Sequence, residues 1–454
     1  MTQDHSKETN LTKSFNQLIE KKSLSKMETT LQVVEVLESN IVARNITHSG
    51  VKLGQLFITK DGKQIFEVVK SAEESSLMPL SGTVTVEPGE KLEHYPDRIH
   101  QTFRTESLLG RVVDALGNPL DDLGDIYAEP SERSGGFESI NPLKRKKIKE
   151  IVTTGIKSID ALLTLGRGQR IGIMAGSGVG KTTTLGMIAK HSSEEVNVIA
   201  LVGERGREVR EFIENDLGEE GLERSVVVVA TSEETPLLQM RAAEFAAKIA
   251  TDFREEGKNV MLLMDSVTRY LQARRSIDIA NGDIPMMGGR TNSMEPSIQR
   301  MFESAGNGDV GSITGIYTIL VEGEDFDSPI PDMARGILDG HIVLRRRLAN
   351  LNHYPAIDVL ESISRVMQDI VPEEDLKLAN EVKKYLSIYK ENESQISLGL
   401  IQEGASEDLD LAIQLKEDID EFLRQDESEQ FDREESIKKM AQLFNRPKES
   451  EFND

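Results

Sequence analysis

The chain of 454 residues contains no cysteine. That excludes disulfides, thiolate metal sites and thiol nucleophiles at one stroke. None of its seven histidines falls at H-x-x-H or H-E-x-x-H spacing, so a histidine metal site has no support. Positive charge is scarce too: 54 Lys and Arg stand against 78 Asp and Glu, a formal net charge of −24. A sequence-independent nucleic-acid binder needs a basic face for phosphates, so no nucleic-acid partner is expected. No apolar run approaches the roughly 18 residues of a membrane span. The opening MTQDHSKETN lacks the apolar core of a secretory signal. The expectation is a cytoplasmic protein. Hydrophobic residues at 38% and charged residues at 29% are an ordinary globular balance, with ample material for a large core.

Four stretches differ in texture. Residues 1–26 are polar apart from a stripe of Leu11, Phe15, Leu18 and Ile19, which falls on one helical face. It is either a helix packed on its own body or a docking helix for a partner. Residues 27–95 hold short β-branched runs, TLQVVEVL, QLFITK, KQIFEVVK and GTVTVEP, with Asp61-Gly62 as a hairpin signal between two of them. Strands without helices predict a small barrel or sandwich. In residues 96–372 the apolar runs QRIGIMA, VNVIALVG, SVVVVA, NVMLLMD, GSITGIYTIL and GHIVL alternate with helical stretches. Such continuous apolar strands predict an α/β core with a mostly parallel sheet covered on both faces. Residues 373–454 predict a helical domain. Leu378, Val382, Tyr385 and Tyr389 share one face, Leu411, Leu415, Ile419 and Phe422 a second, Ile437, Met440 and Phe444 a third. This tail has 23 acidic and 11 basic residues, read as solvated helix surface.

The most informative segment is QRIGIMAGSGVGKTTTLGMIAK. A strand ending at Ala175 runs into Gly176, Ser177, Gly178, Val179, Gly180, Lys181, Thr182 and Thr183, and a helix follows. Strand, glycine loop, Lys-Thr and helix in that order are the context a P-loop requires. Glycines let backbone N–H groups approach phosphates with no Cβ in the way. Those groups and the positive end of the helix bind the anion. Lys181 would reach the β- and γ-phosphates, and the Thr182 hydroxyl would ligate Mg²⁺. Ala175 replaces the first glycine of the strict pattern, so the turn there must accept an L-residue. The strand NVMLLMD is expected beside the P-loop strand, with its terminal Asp265 holding Mg²⁺ through water; the alternative is a helix cap. VNVIALVG leads to Glu204, then Arg205, Gly206, Arg207 and Glu208. A carboxylate at a strand's C-terminal end is placed to orient and polarise an attacking water. The alternative is a surface ion pair with a neighbouring arginine, and composition leaves the choice open.

The stretches TGIKSIDALLTLGRGQRIGIMAGSGVGKTT, VGERGREVREF, LLMDSVTR, GSITGIYTILVEGEDFDSPIPDMARGILDGHIVL and HYPAIDVLESISRV, preceded by LLGRVVDALGNPLD, make the chain recognisable. It resembles the ATPase of the bacterial flagellar type III protein export apparatus, a relative of injectisome secretion ATPases and of the catalytic subunit of rotary ATP synthases. The resemblance covers roughly residues 25–372. It implies a RecA-like core that hydrolyses ATP with Mg²⁺. It implies that Glu204 activates the hydrolytic water, that Glu208 and Arg269 support it near the γ-phosphate, and that Arg205 neighbours the catalytic acid. Tyr354 would pack on adenine. Arg365 would be an arginine finger acting on the neighbouring subunit's nucleotide, which implies a homo-oligomeric ring, usually a hexamer. Such a guanidinium is worth about 10³–10⁵ in rate in comparable systems. Tyr354 as a core tyrosine and Arg365 as a structural ion pair are the plainer alternatives. The resemblance further implies a stator-like regulatory protein on the N-terminal helix, export substrates and chaperones as partners, and a peripheral place at a membrane export gate. Residues 283–297, DIPMMGGRTNSMEPS, depart from the family pattern. A rotary-synthase catalytic subunit, or a nucleotide-binding scaffold without catalysis, are the other readings.

Overall fold

The computed structural model describes residues 29–47, 50–95, 101–126, 128–130, 139–401, 404 and 406–444. The expected docking stripe, Leu11 to Ile19, lies outside them. Contacts divide the chain into two units. One takes in the described residues up to 95 together with 277–283; the other takes in the rest.

In the first unit six strands close into a barrel: β1 (Thr30–Val36), β2 (Ile41–Asn45), β3 (Leu56–Thr59), β4 (Ile65–Lys70), β5 (Glu74–Pro79) and β6 (Lys91–Tyr95). Their order is β1-β2-β5-β4-β3-β6, and closure leaves no strand edge exposed to pairing. Alternate residues turn inward, among them Leu31, Val33, Ile41, Ala43, Phe57 and Phe66. The run GTVTVEP is not a strand, contrary to its composition. Gly82 adopts φ 69°, and the backbone beyond it bonds to a side chain rather than to a ladder. Buried Gln64 donates to the Thr83 carbonyl at 2.7 Å and accepts from the Thr85 N–H at 3.0 Å. The strand lies just before, at ESSLMP, where the sequence shows no β-branched run.

The second unit is built on one large sheet, with two small two-stranded sheets beside it. In spatial order its main strands are Ile363–Ser364, Gly340–Leu344, Arg170–Ala175, Ser312–Leu320, Asn259–Asp265, Val196–Val202, Ser225–Ala230 and Arg111–Asp114, and the short Gly306–Asn307 pairs with Ser312–Leu320 off this path. In chain order they become β7 (Arg111–Asp114), β8 (Arg170–Ala175), β9 (Val196–Val202), β10 (Ser225–Ala230), β11 (Asn259–Asp265), β12 (Ser312–Leu320), β13 (Gly340–Leu344) and β14 (Ile363–Ser364). Neighbours from β13 across to β7 pair in parallel; β14 adds an antiparallel edge. Every residue of β9 and β10 is buried, as expected of strands covered on both faces. One expectation is corrected. The Asp265 strand does not adjoin the P-loop strand, because β12 lies between them.

Helices α1 (Lys181–His191), α2 (Glu373–Ser397), α3 (Glu407–Leu423) and α4 (Arg433–Gln442) carry the predicted C-terminal faces, except that Phe444 of the third lies in the turn beyond α4. Val382, Leu386, Leu415, Ile419, Phe422 and Met440 enter the same apolar cluster as β8 and β9. The helical tail is therefore packed onto the sheet unit rather than standing apart from it.

Helix α1, which begins in the glycine loop, is held close to the segment Phe212–Leu217 by a missing side chain. A Cβ on Gly186 would stand 2.6 Å from the Asp216 Cβ and 2.8 Å from the Asp216 carbonyl oxygen. Gly186→Ala is expected to destabilise the protein by about 1–3 kcal/mol, the usual cost of overpacking, despite alanine's better helix propensity. Urea unfolding checks this; a gain in stability would mean that the neighbouring segment yields freely.

Candidate active site

Position 175 needs no glycine. Ala175 is the last residue of β8, in register with Leu320 and Leu344 on its two neighbours, and it is wholly buried. The loop enters left-handed backbone only later, at Gly178 (φ 72°) and Gly180 (φ 87°). There a Cβ is penalised. Gly180 stands immediately before α1, so the unpaired N–H groups of the first helical turn face the loop's concavity, an arrangement suited to an anion.

Three strand ends converge beside it. Lys181 Nζ lies 2.5 Å from Asp265 Oδ1, at the end of β11, and 3.4 Å from Glu204 Oε1, just beyond β9. The Thr318 hydroxyl on the intervening β12 donates to the same Asp265 oxygen at 2.7 Å. Burial works against the Lys181 charge, but the Asp265 and Glu204 carboxylates outweigh it and hold the ammonium's pKa above its ordinary value. Burial raises the Glu204 pKa, the Asp265 charge adds to the rise, Lys181 opposes it, and a hydrogen bond with Glu208 reinforces it. The net result is a carboxylate with more affinity for a proton than usual. Glu204 is thus not in the surface ion pair that composition allowed. The side chain facing Arg205 is that of Glu208, at 3.7 Å.

Arg269 stands in the helix Val267–Ala280. Its stem packs against Gly203, where a Cβ would approach Arg269 Cγ to 2.8 Å. Its Nη1 donates to Gln272 at 3.0 Å, and its buried Nε has no protein partner. Glu204, Arg205, Glu208, Arg269, Lys181 and Thr182 all line one cleft of about 1060 Å³ with Gly176, Ser177, Gly178, Gly180 and Thr183; the predicted Val179 instead buries its side chain in the apolar core. Sequence reasoning missed other residues on its rim, among them Ser232, Glu322, Glu324 and Arg346. Arg346 donates to the Ser177 carbonyl at 3.0 Å, and its own N–H donates to Glu324 at 3.3 Å. A signal existed: Arg345, Arg346 and Arg347 follow the apolar run of β13 directly.

A second cleft of about 800 Å³ shares Gly180 and Thr183 with the first and is lined also by Tyr354, Lys157 and Phe431. Tyr354 is 43% exposed, so it is not a core tyrosine. Its ring comes within 3.5 Å of the place a Gly180 Cβ would take. Arg365 is elsewhere. It is exposed, does not line its own chain's cleft, and donates to the Arg335 and Leu338 carbonyls at 3.2 and 3.3 Å. Among the described residues there is no cluster of three or more His, Asp or Glu able to hold a metal by itself. Thr182 lines the cleft and Asp265 ends β11 with its Oδ1 bonded to Lys181 and Thr318; a hydroxyl and a carboxylate are oxygen donors of the kind Mg²⁺ takes, with the remainder from phosphate and water.

Residues 155–364 match the family described as "ATP synthase alpha/beta family, nucleotide-binding domain", and residues 371–442 match "T3SS EscN ATPase C-terminal domain". The Flagellum-specific ATP synthase of Bacillus subtilis (strain 168) is 47% identical over 384 residues, 83% of this chain and 86% of that protein. The assembled ATPase EscN of the enteropathogenic E. coli type III secretion system superimposes with a TM-score of 0.85 at 39% identity, covering 91% of this chain and 99% of the other. EscN in complex with its central stalk EscO gives a TM-score of 0.83 at the same identity and coverage.

Removing Lys181 would strand the buried Asp265 carboxylate. Without nucleotide, Lys181→Ala should lose about 3–5 kcal/mol of stability, and adding Asp265→Asn should restore most of it. Urea unfolding of the two single variants and the double variant measures the coupling; strictly additive losses would show that the pair does not interact.

Proposed function

The chain belongs to the family of flagellum-specific ATP synthases and type III secretion ATPases, and from that premise we propose how its residues divide the work of ATP hydrolysis. The carrying observation is the Lys181 ammonium, held by Asp265 and Glu204 at the mouth of a glycine loop. The loop from Gly176 to Thr183 and the start of α1 bind the phosphate chain, and Lys181 binds the β- and γ-phosphate oxygens. Thr182 and Asp265 hold Mg²⁺, which when bound neutralises charge on the phosphates. Glu204 orients the attacking water and takes its proton as the water oxygen bonds to the γ-phosphorus. The bond from that phosphorus to the bridging oxygen breaks, and ADP leaves with the electron pair. A raised proton affinity, as Glu204 has, suits a base working near neutral pH. Glu208 and Arg269 steady Glu204 and the γ-phosphate, Arg205 borders the same space, and Tyr354 stacks on adenine.

Arg365 completes the site of the next subunit. Its exposure and its absence from its own cleft support action in trans, and action in trans requires a ring, a hexamer in this reading. The relative EscN is an assembled ATPase and is also found with its central stalk; we extend to this chain both the ring and a stalk-like partner. Residues 1–26 serve a stator-like partner, 27–95 form the barrel domain, 96–372 the ATPase domain and 373–454 the C-terminal helical domain. Export substrates and chaperones are the further partners. In this reading the chain works from the cytoplasm, associated peripherally with the inner face of the cell membrane; among the described residues no helix is long and apolar enough to cross a membrane.

Lys181→Ala and Arg365→Ala rings should each release phosphate at least about 10³-fold more slowly than the unaltered ring. Rings assembled from an equal mixture should regain a measurable fraction, because some interfaces then join an intact loop to an intact Arg365. Co-assembly is verified by native mass measurement. Co-assembled rings with no recovery would overturn action in trans.

A further inference from the structure

The cleft that holds Tyr354 is bounded on one side by the turn that follows α3, and one side chain binds that turn to the body of the protein. Gln425 is only 5% exposed. Its Oε1 accepts the Lys157 backbone N–H at 2.9 Å. Its Nε2 donates to the Gly155 carbonyl at 2.8 Å and to the Glu429 carbonyl at 2.9 Å. Its own backbone N–H donates to the Tyr354 carbonyl at 2.8 Å. A glutamine amide carries two donor hydrogens, and here both are used. Gln425 borders the cleft yet has no donor left for a ligand. Its effect on anything bound there must pass through what it holds.

It holds three things at once: the entry to the helix Lys157–Leu162, the turn after α3, and the Tyr354 main chain. The same Lys157 places its ammonium over the Phe431 ring at 4.7 Å, so the far wall of the cleft is tied to the same point. We propose that Gln425 is a positioning residue for Tyr354, setting the aromatic platform against the glycine loop and making the C-terminal helices part of the nucleotide-base pocket. This rests on the reading of Tyr354 as the adenine platform. Only an amide of this length meets the three contacts. Glutamate keeps the volume and the acceptor for Lys157 but sets a carboxylate oxygen against two carbonyls. Alanine removes all three side-chain bonds.

The full-length variants Gln425→Ala, Gln425→Glu and Tyr354→Ala, and the double variant Tyr354→Ala/Gln425→Ala, test this. Readouts are KM and kcat for ATP, ADP affinity by calorimetry, and thermal midpoint. Both Gln425 variants should raise KM for ATP and Kd for ADP by about tenfold while kcat stays within about twofold, the signature of lost uniform binding. Tyr354→Ala should do the same, and the double variant should be little worse than either, since both changes act on one contact. Unaltered ADP affinity in Gln425→Glu overturns the proposal, because the amide donors then position nothing. So does full additivity in the double variant, or a collapse of kcat and thermal midpoint together. If Tyr354→Ala weakens ADP binding and the Gln425 variants do not, this inference alone fails. If Tyr354→Ala leaves ADP binding unchanged, the adenine-platform reading fails, and this inference falls with it.

Discussion

An ammonium taken almost out of water must find negative charge, and Lys181 finds it in Asp265 and Glu204. Burial raises the proton affinity of Glu204, and the Asp265 charge adds to the rise, which Lys181 opposes without cancelling. Asp265 ends β11, Glu204 stands two residues beyond β9, and Lys181 opens α1 after the glycine loop, so two strands of one sheet and a helix N-terminus together set their distances. Thr318 on β12 fills the gap between β8 and β11 and donates to Asp265, giving that carboxylate a fixed orientation. A catalytic constellation placed on rigid elements keeps its geometry when neighbouring segments move.

The glycine loop supplies the complementary half of the site. Lys181 offers a full positive charge, while Gly178 and Gly180 in left-handed backbone turn backbone N–H dipoles toward the same space. Arg346 contacts the loop from outside through the Ser177 carbonyl. Its neighbour Arg345 bonds Glu324 at 2.9 Å and also pairs with Glu361, and Lys390 on α2 reaches Glu361 at 3.2 Å. A run of alternating charges therefore connects the C-terminal helices to the rim of the phosphate cleft. Gln425 makes a second connection at the rim of the adjoining cleft. The acidic C-terminal region, which composition presents as solvated surface, is anchored to the core at both clefts.

Much of this was legible in the sequence because it is local. The P-loop is a contiguous string with its own strand and helix. The six apolar runs of the core, QRIGIMA through GHIVL, all form strands, and the 3.6-residue stripes at 373–444 form helices except for Phe444, in the turn after α4. Sheet order was not legible. β8, β11 and β12 are each buried but for one end residue, and nothing in a largely apolar strand says which neighbour it takes; hence the misplaced Asp265 strand. The stretch GTVTVEP misled for a related reason. Its β-branched residues reflect burial of Val86 in the barrel, while its backbone is satisfied by Gln64 from another segment. Gln425 and Arg346 escaped because their partners lie 268 and 169 residues away, a separation that a single sequence does not encode.

Arg365 shows how far a single chain's geometry carries toward an assembly. Its guanidinium is exposed, and the hydrogen bonds it makes go to two neutral carbonyls. Carbonyl contacts orient a cation without neutralising it, so the charge stays available to an anion from outside the chain. Contrast Arg170, bound to Asp339 at 2.9 Å and Glu303 at 2.6 Å, whose pKa is raised despite burial because those carboxylates outweigh it. One arginine is committed to the fold; the other is held in place and, among the described residues, has no carboxylate partner. An oriented, unneutralised guanidinium outside its own phosphate cleft is what a site shared between subunits requires, since the charge must be rigid before the neighbour's phosphates meet it.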